Sequence, residues 1–66
     1  MSDHYKQGDI ECIDALRSAL GTEGFRGFCA GNVIKYCWRY QNKQSAESDL
    51  QKAKAYLCWL IDDIAE

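Results

Sequence analysis

Apolar residues return along this chain every three to four positions, in three stretches broken by glycine or by polar residues. In the first stretch, Ile10, Ile13, Leu16 and Leu20 share one face of a helix. Asp9 suits an N-cap position, and Gly21 can close the helix in a left-handed conformation. The pattern predicts a helix over residues 9–20, preceded by a polar N-terminal arm over residues 1–8. The second stretch predicts a helix over residues 25–41, with Ala30, Val33, Ile34 and Cys37 as its core side. Gly27 and Gly31 lower its propensity by roughly 1 kcal/mol each relative to alanine. The third stretch predicts a helix over residues 46–65. Ser45 serves as its N-cap, Glu47 and Asp49 sit at its positive end, and Leu50, Ala53, Leu57, Leu60, Ile61 and Ile64 form its apolar stripe. The fold class expected is therefore all-α, a compact three-helix domain.

Length limits what such a domain can hold. Sixty-six residues make one domain, and a domain that small buries only about 60% of its unfolded surface. Chains of this size commonly gain stability from disulfides, metals or oligomerisation. The four cysteines, Cys12, Cys29, Cys37 and Cys58, form no C-x-x-C pair. They read as small buried hydrophobes, and no metal site is predicted. At 100° per residue, Trp38 falls roughly opposite the polar stripe of the second helix, and Trp59 roughly opposite the core stripe of the third. Two outward tryptophans point to a homo-oligomer that would bury them.

Charge narrows the partners. The net charge is -2, with 47% hydrophobic and 27% charged residues. An acidic chain has no general attraction to nucleic acid or to anionic membranes, so nucleic acid is the weakest partner class. No apolar run is long enough to span a bilayer. The first eight residues lack the apolar core of a signal peptide. The expected location is the cytosol.

Local placement of positive charge is what remains for an anion site. Asn32, Lys35, Tyr36 and Arg39 fall within roughly 100° of arc on the second helix. Arg39 can grip a phosphate bidentately, and Lys35 adds a compact charge. Asn32 offers both donor and acceptor, and Tyr36 offers a stacking face. The alternative is a solvated polar face, with Lys35 and Arg39 paired to Glu11 or Asp14 of the first helix. His4, Tyr5 and Lys6 add polar and aromatic groups near the N-terminus. No nucleophile triad, H-E-x-x-H helix or G-x-x-x-x-G-K-[ST] loop is present.

An ordered set of residues carries a resemblance. It comprises His4-Tyr5-Lys6, Ile10-Glu11, Ile13-Asp14, Gly31-Asn32-Val33-Ile34-Lys35-Tyr36 with Arg39, then Asp49-Leu50-Gln51-Lys52-Ala53 with Tyr56-Leu57. This set resembles a family of small bacteriophage and prophage proteins of unassigned function, which is similar to the nucleotide kinases of T7-type phages. The resemblance implies nucleotide chemistry without a Walker loop. It implies His4, Tyr5, Lys6, Asn32, Lys35, Tyr36 and Arg39 as the ligand-facing set, with Glu11 and Asp14 orienting the basic residues or holding a metal. The chain is shorter than those kinases and reads as their shared core, which favours binding over catalysis. The expected partner is a nucleotide or a cyclic nucleotide, held in place and sequestered from bacterial immune signalling. One alternative is a nucleoside monophosphate kinase, which alone would require ATP and Mg2+. The other is a host-protein interaction module anchored on Trp38 and Trp59.

Overall fold

A computed structural model describes residues 2–65, with the side chains of residues 12–42 and 44–65. Two helices account for nearly all of it. Helix α1 spans Ser2–Arg39, a short 3-10 turn covers Lys43–Ser45, and helix α2 spans Ala46–Ala65. The three-helix domain expected from the sequence is therefore not what forms. Residues 22–24, expected in a loop, are helical, and α1 runs on either side of a kink at Gly21. The same helix starts at Ser2 rather than at Asp9, so the predicted arm belongs to it.

Gly21 explains both the expectation and its correction. Its backbone lies at φ 74° and ψ 177°, the one positive φ among the described residues. That region is essentially reserved for glycine. A straight helix of 38 residues would be about 57 Å long, whereas the largest dimension of the molecule is 35 Å. Helix α1 is therefore sharply bent at Gly21. Two helical limbs meet directly at the glycine, with no loop between them.

The bend brings the two limbs of α1 onto α2 around a small interior. Ile13 from the first limb, Phe25 and Cys29 from the second, and Ala53 of α2 are buried. Leu16, Phe28, Tyr56, Trp59 and Leu60 pack partly buried around that cluster. Burial pushes the Cys29 thiol above its ordinary range, the buried-hydrophobe role expected of the cysteines. Cys12, Cys37 and Cys58 depart from that expectation and are exposed.

The interior face of each helix is rotated from the one read in the sequence. On α1, Ile34 is 68% exposed and Cys37 is exposed, while Ala30 and Val33 are half-buried, so the predicted core side is only partly turned inward. Phe25, Phe28, Cys29, Asn32 and Tyr36 line the seam with α2 instead. On α2, Ala53 is buried and Leu60 packs against the core as expected, but Leu50, Leu57, Ile61 and Ile64 are exposed, and Trp59 turns inward. The aromatic residues account for the rotation. Phe25, Phe28, Tyr36, Tyr56 and Trp59 carry more buriable area than aliphatic stripes do, and Tyr56 meets Phe28 and Tyr36 across the seam at centroid separations of 5.6 and 5.9 Å, with Phe25 and Trp59 extending the cluster along each helix.

A carboxylate ties both limbs of α1 to the far end of α2. Asp63 accepts from Arg26 Nε at 2.7 Å and from Arg17 Nε at 3.3 Å. Arg26 also donates to the Asp63 carbonyl oxygen at 3.2 Å. Arg17 lies before the bend and Arg26 after it, so one residue of α2 holds the angle. Arg17 also sits over the Phe25 ring at 4.6 Å. The Arg26 hydrogen bond is the first cause that holds the Asp63 carboxyl below its usual range, and both guanidinium charges add to it.

A Cβ at Gly21 meets no atom within 4 Å, so only backbone strain opposes Gly21→Ala. That variant should lose about 1–3 kcal/mol in denaturant unfolding. Gly27→Ala and Gly31→Ala, which also have open space but lie in regular helix, should gain up to about 1 kcal/mol each. The Asp63 carboxyl is lowered on folding, so its contribution is full above the ordinary carboxylate value near ~4. It should vanish as pH falls through the lowered folded-state value. Thermal melts from pH 6 to pH 2 should show an acid loss of Tm that is smaller in Asp63→Asn.

Candidate functional site: an aromatic groove with a cationic rim

The seam between the helices opens into a groove of about 320 Å³. Ile13, Leu16 and Ala55 supply aliphatic lining, Tyr36, Tyr56 and Trp59 supply aromatic walls, and Cys12 and Lys52 complete it. The first limb of α1 contributes Cys12, Ile13 and Leu16, so the groove exists only because Gly21 folds that limb back. Its volume is at the small end of the range for ligand pockets, and its lining mixes apolar walls with a few polar groups as such pockets do.

Tyr56 is the centre of the aromatic cluster. Its ring stacks nearly parallel on Tyr36, with centroids 5.9 Å apart and planes 9° apart. Phe28 and Trp59 meet it edge-on at 5.6 and 5.3 Å. Burial first, then the neighbouring Tyr36, raises the Tyr56 phenol above its ordinary value. Tyr56 therefore stays a neutral hydroxyl that can both donate and accept a hydrogen bond.

Three cations surround the neighbouring ring. Lys35 Nζ, the Arg39 guanidinium carbon and Lys52 Nζ lie 5.4, 5.3 and 5.5 Å from the Tyr36 centroid. Each distance is within reach of the ring's quadrupole. Like charges gathered on one ring repel one another, and an anion set among them relieves that repulsion. Lys52 lies on α2, three residues beyond Asp49, and lines the groove as well as the Tyr36 ring.

Beneath the rim, Asp49 is 1% exposed at the start of α2. One carboxylate oxygen accepts from the Ser45 hydroxyl at 2.9 Å. The other has no hydrogen-bond partner among the described residues and lies 3.9 Å from Arg39 Nη2. The positive end of α2 helps to hold this charge. Arg39 thus faces a buried carboxylate on one side and the Tyr36 ring on the other.

The structure brings together Lys35, Tyr36 and Arg39 of the set read from the sequence. Asn32 lies on the same face, half-buried, and its amide donates to the Phe28 carbonyl at 2.9 Å. The side chains of His4, Tyr5, Lys6 and Glu11 lie outside the described residues. Asp14 pairs with Arg17 at 3.5 Å and not with Lys35 or Arg39. The sequence reading omitted Lys52, Tyr56 and Trp59 from the site. Their spacing, three and four residues apart on α2, was the available signal. Among the described residues, no three His, Cys, Asp or Glu side chains gather where a metal ion could bind. No helix among them is long and apolar enough to cross a membrane.

The fold and groove define a small helical module with stacking surfaces beside concentrated positive charge. The chain belongs to the phage family DUF3310, described as a protein of unknown function, whose model matches residues 1–58. It is 36% identical over 58 residues to the gene 1.7 protein of Enterobacteria phage T3, covering 82% of this chain and 36% of that protein. It is 39% identical over 51 residues to the nucleotide kinase gp1.7 of Escherichia phage T7, covering 73% of this chain and 26% of that protein. The chain therefore matches only about a quarter to a third of the length of these relatives. No solved structure matches it.

The site makes its own prediction about fluorescence. Trp59 lines the groove, whereas Trp38 is 77% exposed on the outer side of α1. A ligand in the groove should quench emission in Trp38→Phe and leave Trp59→Phe unchanged. Quenching that survives in Trp59→Phe would place the ligand elsewhere.

Proposed function

We propose that this chain binds a phosphate-containing nucleotide, with the base against the aromatic walls and the phosphate among Lys35, Arg39 and Lys52. The observation that carries the reading is the convergence of three cations on Tyr36 at the rim of an aromatic groove. Stacking takes any base face, and clustered cations take phosphate. The T7 relative's name, a nucleotide kinase, supports the ligand class. The finer reading is that the chain sequesters a nucleotide, including the cyclic nucleotides of bacterial immune signalling, and does not transform it.

A second reading is nucleoside monophosphate phosphorylation, favoured by that same name. Phosphoryl transfer needs two phosphates held in line and their charge neutralised, usually by magnesium. The three cations suit the phosphates. The carboxylate beside them, Asp49, is buried and hydrogen-bonded to Ser45, so it does not suit a hydrated magnesium ion.

Calorimetry against nucleoside monophosphates, cyclic dinucleotides and ADP-ribose derivatives tests the binding reading. At least one should bind with a dissociation constant well below a millimolar, and Lys52→Ala should weaken it about ten-fold or more, as loss of a charge-assisted contact does. Bound ligand should also slow alkylation of Cys12, followed by peptide mass spectrometry, while Cys58 on the outer surface reacts unchanged. No binding across the panel would sink the reading. ADP formed from ATP and a monophosphate, with magnesium present, would move the conclusion to the kinase.

A further inference from the structure

Asp49 lies almost wholly out of solvent at the start of α2, and it is not among the residues that line the groove. Its Oδ2 accepts from the Ser45 hydroxyl at 2.9 Å, which secures the turn into α2. Its Oδ1 has no hydrogen-bond partner among the described residues, and the cation paired with it there is Arg39, whose Nη2 is 3.9 Å away. An aspartate that only started α2 would need the Ser45 contact alone. Burying a second carboxylate oxygen without a donor weakens folding. The free oxygen therefore points to a task beyond the turn, and Arg39 is the group it faces.

Arg39 is suited to serve two anions at once. A guanidinium carries five N–H donors in one rigid plane, and the Arg39 side chain is 49% exposed, so donors remain when one edge is taken. On α2, Asp49, Lys52 and Tyr56 stand at i, i+3 and i+7, on one face of the helix. That register sets Asp49 beneath the same rim to which Lys52 contributes.

We infer that Asp49 is a positioning residue for the anion site, acting through Arg39: its free oxygen holds one N–H edge of the guanidinium beside the Tyr36 ring and leaves the remaining donors for a phosphate. The ligand in this inference rests on the nucleotide reading above, whereas the hold on Arg39 does not. Two effects favour binding. An arginine already held in place loses less rotamer freedom when it grips an anion. A buried negative charge also offsets part of the repulsion among Lys35, Arg39 and Lys52, so the three stay gathered before a ligand arrives.

Asp49→Asn keeps the size of the side chain and an acceptor for Ser45, and removes the charge. In the ligand-free, 15N-labelled full chain, rotation of the Arg39 guanidinium about its Nε–Cζ bond is read by nuclear magnetic resonance, with the signal assigned by its loss in Arg39→Lys. Rotation should be slow in the wild type and about ten-fold or more faster in Asp49→Asn, as loss of a charge-assisted contact implies. Wild-type rotation as fast as in free arginine overturns the inference, and that measurement needs no variant of Asp49 to fold. Calorimetry with AMP and with adenosine separates positioning from plain stability. Asp49→Asn should weaken AMP about five-fold or more and leave adenosine unchanged, and in an Arg39→Ala chain it should weaken AMP no further. Equal loss of AMP and adenosine overturns the inference, as does a full further loss of AMP in the Arg39→Ala chain. Absence of AMP binding in the wild type counts against the nucleotide reading, and the rotation rates still decide whether Asp49 holds Arg39.

Discussion

The backbone of Gly21 is the constraint on which the rest depends. Without its positive φ, α1 would run straight and only one of its limbs could meet α2. With it, Ile13 and Leu16 return to the seam, Phe25 and Cys29 become buried, and the groove acquires a third wall. The conformation is strained for every residue but glycine. Asp63 maintains the bend by accepting from Arg17 before it and Arg26 after it. Two local features, one backbone torsion and one shared carboxylate, thus convert a long helix into the container for a site.

Aromatic packing then decides which faces meet. The interior holds few fully buried side chains, and much aliphatic surface stays outside. Cohesion comes instead from a chain of ring contacts running from Phe25 through Phe28 and Tyr56 to Tyr36 and Trp59. This arrangement serves two purposes at once. Rings that hold the helices together also form the walls of the groove, and the outermost of them, Tyr36, gathers Lys35, Arg39 and Lys52. Stability and the shape of the groove therefore share the same residues.

Much of this was legible in the sequence, and the exceptions have physical reasons. Helical periodicity and the absence of proline made the all-helical class readable, and Gly21 was marked as a break. Periodicity does not report whether a glycine ends a helix or bends it, and so a third helix was expected. The polar stripe of Lys35, Tyr36 and Arg39 was readable from spacing. Its partner residues on α2 were not, because pairing between helices depends on rotation about each axis. That rotation was misjudged. Aliphatic residues such as Ile34, Leu57 and Ile61 read as core by pattern, yet larger aromatic surfaces took the interior.

The central claim is that the aromatic groove and its cationic rim form one nucleotide site. Nuclear magnetic resonance of the 15N-labelled chain, titrated with a nucleoside monophosphate, tests it most directly. The account predicts saturable shifts at the backbone amides of Tyr36, Lys52 and Tyr56 and at the Trp59 indole, with the Trp38 indole unmoved. Shifts confined to the Leu57–Ile61 side of α2, or no saturable shifts at all, would contradict it.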